Sequence, residues 1–229
     1  MYNYNMQLPQ IQIGSRIVGG ENPPLIIAEV ANTHDGDPIT ARKMVDQIAT
    51  TGVEAVKFQL HIAAAEMLPS HPKFKTQGKM SLSVKVLAEL KSYAESKGLI
   101  FLCSPFSREA VDELDQMNVL AFKIGSGEVS DPDFMAHAAS KGRPMIVSTG
   151  MAEEEEIDTA VDIMRKASVP FVILHAVSLY PTPYEKLYLE TIAALRERYH
   201  VPIGLSDHTA EIYSSLAAMA LRPAVIEKH

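Results

Sequence analysis

The sequence predicts a (β/α)8 barrel, in which eight parallel strands close into a cylinder inside a ring of helices. Three observations carry the prediction. Eight short apolar, β-branched runs recur along the chain, seven helical segments alternate with them, and polar residues collect just after the C-terminal ends of the runs. The runs are nearly continuous in hydrophobicity, as parallel strands covered on both faces must be. A doubly wound open sheet is the alternative reading of the same alternation, but it gathers polar residues at one switch point.

Residues 8–20 stand outside the repeat. Ile11, Ile13, Ile17 and Val18 around Gly14-Ser15 predict a hairpin that plugs the bottom of the barrel. The runs then follow as Leu25 to Val30, Ala55 to Phe58, Leu99 to Leu102, Leu120 to Ile124, Met145 to Val147, Phe171 to Leu174, Val201 to Leu205 and Ala224 to Ile226. Asp37 is an N-cap with Pro38 in the first turn and Gly52 as the stop, and Ala41, Met44, Val45 and Ile48 share one face. Leu82, Val86, Leu87, Leu90 and Ala94 repeat the pattern before Gly98. Ser107 caps a helix with Ala110, Val111, Leu114 and Met117 inward, and Asp131-Pro132 opens another that ends near Gly142. Glu153 to Ala167, Leu187 to Tyr199 and Thr209 to Leu221 complete the set. The acids Glu153 to Glu156 suit the positive end of a helix dipole, not a metal cluster. His229 follows the eighth run directly, so the expectation is one barrel domain over residues 1–229 that lacks the eighth helix. Such a chain is a piece of a longer protein with an apolar flank left open.

Composition removes several function classes. The 229 residues carry 21 Lys and Arg against 28 Asp and Glu, a formal net charge of -7, and there is no Trp. That balance argues against a nucleic-acid partner. No apolar run approaches the roughly 20 residues that span a bilayer, and Met1 to Tyr4 shows no signal-peptide start. A single cysteine, Cys103, excludes an internal disulfide and suits a reducing compartment. The expected setting is the cytoplasm, without a membrane partner.

In a barrel, the C-terminal strand ends converge on one site. Here they offer Glu29, Lys57, Gln59, Ser104, Lys123, Ser126, Glu128, Ser148, His175, Ser178, Tyr180, Ser206, His208, Glu227 and His229. Lys57 and Lys123 lie within apolar strands, where a cation must be paired or used. One reading is an ion pair with Glu29 or Glu128. The other is an anion site, in which the two lysines, several hydroxyls and the Gly125 and Gly150 turns hold a phosphate. His208 and His229 end adjacent strands, where two imidazoles can share a divalent metal and leave positions open. His175 is the competing ligand. His61, His71, His137 and His200 are assigned no role, and Cys103 has no base beside it in sequence.

Seven ordered motifs are similar to one family. They are Ile27-Ala28-Glu29 with His34-Asp35-Gly36, Val56-Lys57-Phe58-Gln59, Ala121 to Glu128, Ser148-Thr149-Gly150-Met151, Tyr180-Pro181-Thr182-Pro183, Gly204 to Thr209, and Val225 to His229. The chain resembles the sialic acid (N-acetylneuraminate) synthases, which include the legionaminic and pseudaminic acid synthases and spore-coat polysaccharide proteins. The resemblance implies a barrel that condenses phosphoenolpyruvate with an N-acetylmannosamine-type amino sugar. It implies a divalent metal, typically manganese with magnesium or cobalt as alternatives, on His208 and His229. It implies phosphoenolpyruvate on Lys57, Lys123, Ser126, Ser148 and Ser206, Glu29 and Tyr180 facing the sugar, and Ser178 among the substrate-binding residues. Glu29, Lys57, Lys123 and Tyr180 are thereby the expected catalytic residues. The family's C-terminal antifreeze-like domain, which completes the partner's site in a homodimer, is absent from this sequence. Departures from the family pattern at Asp35, Leu60-His61, Ser104 and Ala176-Val177 mostly flank the sugar side, so they bear on which sugar is used. A synthase for a different aldose and a non-catalytic barrel that binds a phosphorylated ligand are the alternative readings.

Overall fold

The computed structural model describes residues 8–229; Met1 to Tyr4, where a signal-peptide start would lie, are outside the described residues. A two-stranded antiparallel hairpin comes first, β1 (Gln10–Ile13) and β2 (Arg16–Gly19). Strands and helices then alternate. β3 (Leu25–Glu29), α1 (Pro38–Ile48) and β4 (Ala55–Leu60) lead to two short helices, α2 (Ala63–Glu66) and α3 (Phe74–Met80), and then to α4 (Val84–Ser96). β5 (Ile100–Pro105), α5 (Arg108–Gln116), β6 (Phe122–Ile124), α6 (Pro132–Ser140), β7 (Met145–Ser148), α7 (Glu154–Lys166), β8 (Phe171–Ala176), α8 (Thr191–Tyr199), β9 (Ile203–Asp207), α9 (Tyr213–Ala218) and β10 (Val225–Lys228) follow. β3 to β10 form a closed parallel barrel, sealed by pairing of β10 with β3. This is the expected (β/α)8 architecture.

The expected caps form. The Asp37 carboxylate accepts from the Ile39 and Thr40 amides, Asp131 from Asp133 and Phe134, and Ser107 from Ala110. Helices α2 and α3 were not anticipated, because residues 61–80 show no apolar periodicity and bury no side chain within either helix. The last two helices are shorter than expected. A 3-10 turn at Tyr184–Lys186 precedes α8, and a 3-10 turn at Met219–Leu221 follows α9. A groove of about 310 Å3, lined in part by Val30, Met44 and Ile48, lies along α1 beside the end of β3.

Two apolar clusters flank the strand cylinder. One lies between strands and helices, and the other fills the barrel interior with Leu25, Ile27, Ala55, Leu102, Ile146, Val172, Leu174 and Val225. Ile13 and Val18 of the hairpin are fully buried in the interior cluster, so the hairpin plugs the barrel bottom as expected. Alternate strand residues face inward. Two positions beyond Ile27, Ala55, Leu102, Ile146 and Val225, the inward residues become Glu29, Lys57, Ser104, Ser148 and Glu227. The interior is thus apolar below and polar above, and the polar layer is the floor of the site.

Candidate active site

A cavity of about 520 Å3 opens at the C-terminal ends of the strands. Of the expected residues, Lys57, Lys123, Ser126, Ser148, Ser178, Tyr180, Ser206, His208 and His229 line it. Glu29 does not. Its carboxylate is buried in the polar layer, 2.8 Å from the Lys57 ammonium and 3.1 Å from the Gln59 amide nitrogen. His175 is also elsewhere, donating to the Leu187 carbonyl at 2.6 Å, so it is not a ligand competitor.

Lys57 and Lys123 are 3% and 2% exposed. The ion-pair reading holds for both lysines but not through Glu128. Besides Glu29, the partner is Glu227, 3.5 Å from Lys57 and 3.4 Å from Lys123. Lys57 also donates to Ser104 Oγ at 3.3 Å and Lys123 to Ser148 Oγ at 2.8 Å. Burial opposes the charge on Lys57, but Glu227 and Glu29 outweigh it and raise its pKa. Burial wins at Lys123 and lowers its pKa. Burial raises Glu29, whereas Lys123 and Lys57 overcome burial at Glu227 and hold it at about 2. Glu227 ends the inward row of β10; the sequence places it at the strand end but assigns it no role. Its signal was a carboxylate directly after the apolar run Ala224 to Ile226.

The rest of the wall contains residues given no role beforehand. The His61 ring stacks on Phe106 at 4.0 Å and is held by Glu66 and Gln59. Glu128 lines the cavity, burial raises its pKa, and its Oε2 has no hydrogen-bond partner. Cys103 is buried and burial drives its thiol pKa upward, which removes it as a nucleophile.

The two histidines face one another, ring centroids 4.3 Å apart and nearly perpendicular. His208 Nδ1 donates to the Val177 carbonyl at 2.6 Å. That bond fixes the tautomer and leaves Nε2 as an acceptor, 3.1 Å from the Tyr180 hydroxyl. Burial lowers the pKa of His208, and it takes His229, whose side chain is 22% exposed, down to about 3. Both imidazoles are therefore neutral near pH 7, the form that ligates a metal. No cluster of three or more His, Cys, Asp or Glu suited to a metal occurs among the described residues. The donor set fits a divalent cation with two nitrogen ligands and open positions for oxygen.

The NeuB family model matches residues 44–229. The chain belongs to the NeuB family. Among NeuB relatives, an uncharacterized protein of Methanocaldococcus jannaschii is 36% identical, with 97% of this chain and 66% of the relative covered. The N,N'-diacetyllegionaminic acid synthase of Campylobacter jejuni is 34% identical, over 90% of this chain and 66% of that enzyme. This chain thus spans just under two thirds of those relatives' length. The crystal structure of a sialic acid synthetase from Leptospira borgpetersenii, in complex with citrate, superposes with a TM-score of 0.94 at 32% identity, over 99% of this chain and 79% of that one.

Proposed function

We propose that this NeuB chain carries the barrel of a synthase that condenses phosphoenolpyruvate with an N-acetylmannosamine-type sugar, forming a nonulosonic acid and phosphate. The observation that supports the reading most is the cavity floor. Two buried ammonium groups and the Ser126, Ser148 and Ser206 hydroxyls lie beside two neutral imidazoles with one ring nitrogen aimed inward. The lysines would hold the phosphate and carboxylate of phosphoenolpyruvate and neutralise charge that develops on the leaving group. The Gly150 amide, which donates to Ser126 Oγ at 3.0 Å, keeps that hydroxyl at the cavity edge.

The reaction joins the methylene carbon of phosphoenolpyruvate to the aldehyde carbon of the open-chain sugar. Water adds to the cationic carbon that results, and the tetrahedral adduct expels inorganic phosphate to leave the 2-keto acid. The aldehyde oxygen gains one proton, the water loses one as it adds, and the hydroxyl proton of the adduct leaves with the phosphate as the ketone forms. Glu128 faces the cavity with a raised carboxyl pKa, so it suits proton exchange better than Glu29, which is paired with Lys57. Glu29 instead holds the Lys57 ammonium in position. A divalent ion on His208 and His229, manganese in the first instance, would supply Lewis-acid polarisation of the sugar carbonyl. Tyr180, stacked on His208 at 4.1 Å and 68% exposed, would close over the sugar.

The test is phosphate release from phosphoenolpyruvate with N-acetylmannosamine and its 6-phosphate, 4-deoxy-4-acetamido and related derivatives, with and without manganese. Manganese-dependent release with one of these sugars is expected, and His208→Ala should abolish it. Near-full activity in that variant removes the metal assignment, and no release with any sugar counts against the reaction.

A further inference from the structure

The polar floor is balanced before any ligand enters. Lys57 and Lys123 supply two positive charges, and Glu29 and Glu227 supply two negative ones. The two carboxylates are not held alike. Glu29 is 2.8 Å from Lys57, a close charge-assisted contact. Glu227 stands farther off, 3.4 and 3.5 Å from the lysines, although the Oε2 atoms of both carboxylates accept no hydrogen bond. Its firm bond is instead to Ser206 Oγ, at 2.8 Å. Ser206 also lies 3.3 Å from His208 Nε2, and Glu227 Oε1 lies 4.0 Å from His229 Nε2. Glu227 therefore stands between the two halves of the site, loosely held by the lysines, near His229 and linked to His208 through Ser206.

We propose that Glu227 is an internal stand-in anion that makes oxyanion binding at Lys57 and Lys123 depend on a divalent cation at His208 and His229. Without the cation, an entering phosphate or carboxylate meets lysines that already have a counter-charge, and it repels the buried Glu227 carboxylate. With the cation, Glu227 faces a positive charge on its other side and its repulsion of the oxyanion is offset. The coupling is reciprocal, so the oxyanion raises cation affinity by the same factor. The device keeps the lysines paired in the empty barrel and favours filling the two halves together. It rests on the assignment of the lysines to phosphoenolpyruvate and the histidines to the metal.

Titration calorimetry of phosphoenolpyruvate, metal-free and with saturating manganese, reads the coupling directly, and manganese electron paramagnetic resonance reads the cation side. In the unaltered protein, manganese should tighten phosphoenolpyruvate binding at least tenfold. In Glu227→Gln, metal-free phosphoenolpyruvate should bind at least tenfold tighter than in the unaltered protein, manganese alone should bind more weakly, and the coupling should fall below threefold. Opposite shifts for the two ligands are the signature, since a merely damaged fold weakens both. Uncoupled binding in the unaltered protein, or coupling retained in Glu227→Gln, overturns the inference and leaves the proposed function standing. No phosphoenolpyruvate binding under any condition overturns the anion-site reading and this inference with it. The absence of coupling in the unaltered protein overturns the inference even if the variant does not fold.

Discussion

At the scale of single residues, Lys123 shows how a charge survives inside a barrel strand. It is fully enclosed, yet its ammonium reaches Ser148 Oγ, the Ile124 carbonyl and Glu227. Lys123→Met keeps the stem and deletes the charge. Phosphoenolpyruvate affinity should fall at least a hundredfold, and unfolding stability should drop by up to roughly 3 kcal/mol because Glu227 loses a counter-charge. Calorimetric binding and urea denaturation check the two parts, and unchanged affinity would move the anion site elsewhere. Lys57 and Lys123 were legible in the sequence because a lysine within an apolar run has few innocent explanations. Glu227 sat between Ile226 and a second lysine, so it read as part of the strand's polar end. His61 gave no signal, because its place in the wall depends on α2, a helix without periodicity.

At the scale of elements, the connection from β8 to α8 and the strand β9 decide the metal half of the site. Residues 177–190 carry Ser178 and Tyr180 and present the Val177 carbonyl that orients His208. The loop is strapped at both ends: the Thr182 amide donates to the His208 carbonyl at 3.0 Å, and the His175 ring donates to the Leu187 carbonyl. His175→Leu leaves a buried carbonyl unpaired, which costs about 1–3 kcal/mol. Amide exchange across residues 177–190 should quicken in that variant while the opposite side of the barrel stays protected. On β9, Gly204 lies where a side chain would strike the Val225 carbonyl and come within 2.6 Å of Leu174 Cδ2. Gly204→Ala should therefore destabilise by about 1–3 kcal/mol in a urea titration, and a neutral result would mean the strands can part there.

At the scale of the whole molecule, four imidazoles set the response to acid. Burial lowers the pKa of His34, His175, His208 and His229. As pH falls below the usual value near 6.5, the unfolded chain takes up protons that the folded chain refuses, so stability is lost. Glu29 and Glu128, raised by burial, act in the opposite sense because the folded state binds their protons more readily. With four groups against two, the metal-free protein should melt at a lower temperature at pH 5 than at pH 7.5. Scanning calorimetry checks this, and a flat or rising profile would show that the two carboxyls dominate. No helix among the described residues is long and apolar enough to cross a membrane.

The sequence by itself determined the barrel, the plugging hairpin and the family, because strand burial, helix caps and ordered motifs are local properties that follow chain order. It also determined which residues reach the C-terminal rim, since inward-facing positions recur with period two. Only the tertiary structure decided how those residues pair. Lys57 meets Glu29 across the β3–β4 register, while Glu227 meets both lysines across the barrel from β10, 104 or more positions away in the chain. Closure of the cylinder brings the last strand beside the first, and the contacts that this creates across the interior leave no mark in sequence spacing. The burial that makes both histidines neutral arises in the same way, from neighbours supplied by other strands and loops, and is a property of the closed fold alone.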